Sequence, residues 1–305
     1  MALNNPAFSN PAFQPPKAPS AYPGGSQAAN LGGQTQFATA QRAGTDAASN
    51  AAMEGMYAAP SAGAIETDRM SVEDTVIKTL SLFAVLLVTA VGGWMWTLSG
   101  VTAANPSPNM APWLIGMLGG FVLSLVVIFT SRKTIRPALI IAYAAFEGLF
   151  IGGISAFFEF IYPGIVMQAT LATLAVVGVT LALFASGKIR ASKKATKIFM
   201  IAMGGYLVFS LLNVVLMWTG VIPAGMAFGM HSAEIFGIPL GLIIGVLVVI
   251  MAAYSLVLDF DNIQRGVRNG APRKFAWLGA FGIMVTVVWL YVEILRMIAI
   301  VRGSN

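Results

Sequence analysis

The sequence predicts an all-α integral membrane protein with seven transmembrane helices. Three observations carry that class. First, 57% of the 305 residues are hydrophobic and only 10% are charged, against roughly 45–50% and 25% in soluble domains. Second, seven apolar segments punctuate the chain, at about 76–98, 112–130, 137–161, 166–185, 197–218, 236–258 and 276–300. Each is long enough to cross a ~30 Å hydrocarbon layer as a helix of ~20 residues. Third, Lys and Arg gather in alternate connections.

The last point also sets orientation. Arg132, Lys133 and Arg136 lie between segments two and three. Lys188, Arg190, Lys193, Lys194 and Lys197 lie between four and five, and Arg265, Arg268, Arg273 and Lys274 between six and seven. The connections 99–111, 162–168 and 219–235 contain no Lys or Arg. Cytoplasmic connections carry the basic excess, so the pattern places the N-terminus in the cytoplasm of a multi-pass cell-membrane protein. After seven crossings the C-terminus lies outside. The net charge of +6 is then explained by topology and by anionic membrane lipid. A nucleic-acid partner is not expected, because no compact basic domain exists to bind one.

Taken in order, residues 1–70 are rich in Ala, Pro, Gly, Ser, Asn and Gln, with scattered large apolar residues. Such a segment cannot bury enough surface to offset its ordering entropy, so a disordered cytoplasmic tail is expected. It lacks the charged stretch and apolar core of a signal peptide. Its one local repeat, "NPAFSNPAF" at 5–13, reads either as tail composition or as a doubled docking motif. In the second reading Phe8 and Phe13 anchor a cytoplasmic protein partner. The membrane domain is expected over 71–302. It opens on "SVED", with Ser71 as N-cap and Asp74 three residues later, as in a capping box. "NPSPN" at 105–109, Pro163-Gly164, "IPAG" at 222–225 and "NGAP" at 269–272 mark the breaks. Strands are a poor alternative, since period-two alternation is absent. Gly148 and Gly152, and Gly237 and Gly241, form small-xxx-small steps for close helix packing.

Several chemistries have no residues to perform them. The chain has no Cys and one His, His231, so thiolate and His-cluster metal sites are not expected. "DFDNIQ" opens like a calcium loop, but Ile263 holds position 5, Gln264 replaces the turn glycine and Gly270 stands at position 12. No HExxH, P-loop, GxSxG or intramembrane-protease "GxGD" occurs. Neither an enzyme nor a cofactor is expected.

The candidate site residues are ionisable groups inside the apolar segments, where each costs several kcal/mol by most scales. Glu147 lies ten residues past Pro137, roughly 15 Å along the helix. Glu293 lies deep in segment seven, with Arg296 three residues on as a same-face ion-pair partner. Asp259 and Asp261 fall at the expected end of segment six, with Asp261 read as a solvated neighbour.

"LDFDNI" closing the sixth segment and "WLYVEILRM" in the seventh resemble motifs of the Bax inhibitor-1 (TMBIM, YccA-like) family. The resemblance covers roughly residues 70–302, and the long N-terminal tail is similar to that of the actinobacterial branch. It implies a seventh helix at the centre of a ring of six. It also implies that Asp259 and Glu293, the latter where the family usually has Asp, pair across helices and gate a pH-sensitive calcium leak. The same resemblance implies Arg132, in "TSRKTIRP", as their cationic partner. Two close carboxylates in a low dielectric do not both ionise readily, so such a pair responds to pH. The 34 residues between Asp259 and Glu293 leave Glu147 open as the alternative partner of Glu293. Some family members act instead as non-transporting regulators of membrane proteolysis or stress response, the second function the resemblance allows.

Overall fold

A computed structural model describes residues 68–303, apart from 104, 105, 224, 225 and 227. Residues 1–67 of the expected tail, with Phe8 and Phe13, lie outside the described residues, and its expected last residue, Met70, is instead buried against the bundle. These contain seven helices long and apolar enough to cross a membrane. They are α1 (Val72–Leu98), α2 (Ala111–Ser131), α3 (Pro137–Ile161), α4 (Ile165–Ala185), α5 (Lys193–Trp218), α6 (Leu240–Arg268) and α7 (Phe275–Gly303). The chain is therefore an all-α membrane protein.

Local chemistry sets the helix ends. Ser71 is extended and its Oγ accepts the Asp74 N–H at 3.1 Å, so the N-cap forms as the sequence predicts. The reciprocal half of the box is replaced by a longer-range tie. The Asp74 carboxylate instead accepts Lys78 Nζ at 2.5 Å and Arg273 Nη2 at 3.0 Å. Lys78 also donates to the Arg273 carbonyl at 3.2 Å, and the Met70 N–H to that of Ala271 at 2.7 Å. The start of α1 is thus clamped to the turn that leads into α7. Pro137 opens α3, where its missing N–H is no loss. Glu159, near the end of α3, accepts the N–H groups of Gly164 (2.6 Å) and Val166 (3.0 Å) and so caps α4.

The largest departures from the expected segments surround α6. Its expected first residues, 236–239, belong to a small antiparallel hairpin, β1 (Glu234–Ile235) and β2 (Ile238–Pro239), paired Glu234↔Pro239 and Ile235↔Ile238. Phe236 and Gly237 both have positive φ, as a tight two-residue hairpin requires. Gly237 is therefore a turn residue and not half of a helix-packing step. At its other end α6 runs to Arg268, ten residues beyond the expected stop at 258. Asn262, Ile263 and Gly266 are buried on the added stretch, so that extension is amphipathic and packs as helix.

Glycines bring the first three helices together. A Cβ added at Gly148 would collide with Thr89 and the Leu86 carbonyl on α1, and one at Gly152 with the Ala90 carbonyl. Across the other seam, Gly116 lies against the Phe150 backbone and Gly119 against the Phe146 ring. Small residues let backbones approach where lipid offers no hydrophobic drive for association. The α6–α7 pair runs antiparallel, with Gly245 against Met297 and Gly241 against Ile300.

Burial ranks the helices. Half of the most apolar window of α7 is buried, against 11% for α5. The most buried helix is α7, and it packs chiefly on α1, α3, α4 and α6. On α5 only Phe199 and Asn213 are buried.

Gly152→Val drives a branched side chain into the α1 backbone and is expected to destabilise the fold by about 1–3 kcal/mol or more. Gly178, on α4, has open space where a Cβ would go. Gly178→Ala is expected to be neutral or mildly stabilising. Thermal unfolding of the purified variants checks both, and equal melting temperatures would refute the close α1–α3 packing.

Candidate functional site

Two carboxylates are almost wholly withdrawn from solvent, Asp259 at 1% exposure and Glu293 at 3%. Each is supplied with hydroxyl donors from a neighbouring helix. The Thr286 hydroxyl of α7 donates to Asp259 Oδ2 at 2.7 Å. Ser255, one turn before Asp259 on α6, stands 3.4 Å from the same hydroxyl. Glu293 accepts Arg296 Nη2 on Oε1 and the Tyr206 hydroxyl of α5, at 3.2 Å, on Oε2.

Asp259 is not at the mouth of the bundle. Nine more residues of α6 follow it, the last being Arg268, about 13 Å of helix. Asp261 explains how two carboxylates so close in sequence have different fates. Residues two apart on a helix are about 200° apart around its axis and so point to opposite sides. Asp259 turns to α7, while Asp261 turns to the flank and pairs with Arg265 one turn on, whose Nε is 2.9 Å away. Asp261 is an ion-paired, half-buried group and not the solvated neighbour expected.

The expected direct pair of Asp259 with Glu293 is replaced by two stations. Thr286, which holds Asp259, precedes Glu293 by seven residues on α7. That is two turns, about 10 Å along one face of the helix. The alternative partner is also elsewhere. The hydrogen bond between Ser155 and Tyr291 (2.7 Å) and the Tyr143–Phe281 ring contact (5.0 Å) set α3 and α7 side by side, offset by 136 to 138 residues. Glu147 therefore stands level with residues 283–285 of α7, some 12–15 Å below Glu293. It bonds to Tyr143 and lies in the α2–α3 seam, where a Cβ on Gly120 would fall 2.9 Å from its Oε2. Height along the bundle brings Glu147 to the level of Asp259, not of Glu293.

Arg132 is exposed at the C-cap of α2, its guanidinium over the Phe129 ring. The structure does not bring it to the buried carboxylates. The cation at the site is Arg296, the in-helix partner of Glu293. Tyr206 is the residue that sequence reasoning missed. The available signal was a polar stripe, Tyr206, Ser210 and Asn213, at i, i+4 and i+7 on an otherwise apolar helix.

The single histidine completes the polar set at the end of the bundle away from the basic connections. His231 lies in a 3-10 turn, Gly229–Ser232, and is 3% exposed. Asn213 Oδ1 accepts the Met230 N–H at 2.7 Å, which turns Nδ2 toward the Phe228 carbonyl and His231 Nδ1, each 3.3 Å away. Burial chiefly, and the nearby Arg296 charge, lower the His231 pKa to about 4, against a raising backbone bond to Phe228. The imidazole is neutral at pH 7. Among the described residues no group of three His, Cys, Asp or Glu side chains is placed to hold a metal ion.

A depressed histidine makes the unfolded chain bind the extra proton first. Stability from His231 is therefore present above about pH 6.5 and is lost as pH falls toward 4. The loss is expected to be on the order of 2–3 kcal/mol. His231→Gln should flatten that part of the melting-temperature profile between pH 7 and 4. An unchanged slope would contradict the neutral buried imidazole.

No curated protein and no solved structure matches the chain. A family model described as Bax inhibitor 1 like matches residues 5–303, the full membrane domain included. With seven apolar helices, and with "LDFDNI" and "WLYVEILRM" supplying the two buried carboxylates, the chain belongs to the Bax inhibitor 1 like family.

Proposed function

We propose that the chain is a pH-sensitive cation leak, with calcium as the first candidate ion, and that Asp259 and Glu293 are its two carboxylate stations. The observation that carries the reading is their placement, nearly solvent-free, along one face of α7, the most buried helix: Glu293 is on that helix and Asp259 is held against it from α6 by Thr286. Buried carboxylates inside a membrane domain default to function, because a stability role is served more cheaply by apolar residues. Here each is held by donors that can let go. Thr286 and Tyr206 offer hydroxyls, and Arg296 is shared by a single guanidinium nitrogen.

The chemistry suits a hard cation. Carboxylate and hydroxyl oxygens are the ligands calcium prefers. Two stations about 10 Å apart favour passage over storage, since each binds with too few oxygens to trap the ion. Protonation removes the charge that attracts the cation and gives each carboxyl a proton of its own to donate. The proton is thereby a ligand of the closed state, and pH biases the closed–open balance. The basic connections lie at the cytoplasmic face in this reading, and α7 forms the inner wall of the path. Glu147, level with Asp259 in a separate seam, is a secondary group, and Arg132 serves at the basic rim.

Calcium entry into dye-loaded liposomes carrying the purified protein, scanned from about pH 5 to 8, is the test. Wild type is expected to show pH-dependent flux, flattened by Asp259→Asn or Glu293→Gln and kept by Asp261→Asn. Well-folded protein with no flux above empty liposomes would refute the leak. Function would then pass to a non-transporting regulator, with Phe8 and Phe13 of the tail as the next targets.

A further inference from the structure

The least buried helix, α5, touches the bundle through polar groups. Tyr206 reaches Glu293, Asn213 holds the 229–232 turn, and Ser210 lies between them on the same stripe. Asn213 Oδ1 is committed to the Met230 N–H, so its Nδ2 faces His231 Nδ1 and leaves Nε2 as the ring nitrogen turned away from Asn213. His231 Nε2 is buried and has no hydrogen-bond partner among the described residues, and the same holds for Arg296 Nε and Ser210 Oγ.

These atoms share one seam. The Arg296 charge acts on His231, and Arg296 meets Tyr206 through Glu293. Ser210 is one turn beyond Tyr206. A Cβ on Gly241 would touch both His231 and Ile300, which places His231 against α7 one turn past Arg296. Buried polar atoms are almost always bonded to protein or to ordered water. Three of them in one seam mark a place that water completes. The titratable groups facing it are Tyr206, His231, Glu293 and Arg296.

We propose that water fills this seam and connects Glu293 to the side of the membrane that carries the 219–239 connection. As a hydrated passage it stands on the unpartnered polar atoms alone. As the route by which protons or cations reach Glu293 it rests on the leak proposed above.

The chain has no cysteine, so one introduced thiol reports without background. The full chain carrying Ser210→Cys, oriented in liposomes, is treated from each side with a membrane-impermeant charged methanethiosulfonate. Val208→Cys, on the opposite face of α5 and 55% exposed among apolar residues, is the control. Ser210→Cys is expected to label several-fold faster than Val208→Cys from the 219–239 side, and to slow when His231→Trp blocks the seam. Equal protection of the two thiols, or labelling only from the basic side, overturns the passage. Should Ser210→Cys not fold, hydroxyl-radical footprinting of the wild type decides. Oxidation of Tyr206 above that of the buried Tyr143 supports the passage, and equal protection overturns it. Neither readout needs ion flux. Labelled Ser210→Cys beside flux-free wild type would keep the passage and sink the leak.

Discussion

A carboxylate inside a membrane bundle must find hydrogen-bond donors, and this structure meets that demand twice, once on α6 and once on α7. Asp259 depends on Thr286, and Glu293 on Arg296 and Tyr206. The donors come from different elements, so the two sites recruit different neighbours. Asp259 joins α6 to α7. Glu293 joins α7 to α5, a helix with little buried surface otherwise. Remove the donors and the charges are left in a low dielectric, at a cost of several kcal/mol each. The helices are therefore held in register by polar bonds that pH and ions can change, on a scaffold that neither can.

That scaffold is the α1–α2–α3 group, joined by glycines at backbone contact. The glycine contacts themselves carry no titratable group, although Glu147 lies in the α2–α3 seam. The clamp of Asp74 with Lys78 and Arg273 then fixes the beginning of α7 to α1 at the basic end. The opposite end of α7 meets a softer set: α5, the 229–232 turn and the hairpin 234–239. A rigid basic end and a polar opposite end divide α7 into an anchored half and a responsive one, with Asp259 level with the division.

Much of this was legible in the sequence. Composition marked seven helices because twenty apolar residues in a row have few other uses. Ser71 was legible because capping is local. The end of α6 was not. Asp259 and Asp261 read as a stop by hydropathy, although Asn262, Ile263 and Gly266 continue the buried stripe past them. The start of α6 was hidden too, since Phe236 and Gly237 sit in an apolar run and only their positive φ reveals the hairpin. The cost of burying charge singled out Glu147 and Glu293, and the family resemblance singled out Asp259. The partners were not legible, because Tyr206 is 87 residues from Glu293 and nothing local announces such a contact. The helix register moved the pair that the resemblance implied apart, and it left Arg132 away from both carboxylates.

The central claim is that register: Asp259 and Glu293 occupy separate stations two turns apart. In the cysteine-free chain, Ser255→Cys with Thr286→Cys places two thiols where the native hydroxyls stand 3.4 Å apart, close enough for a disulfide. Mild oxidation in the membrane is expected to join that pair rapidly and to leave Asp259→Cys with Glu293→Cys unlinked. Rapid linkage of the second pair, with none in the first, would contradict the account and restore a direct carboxylate pair.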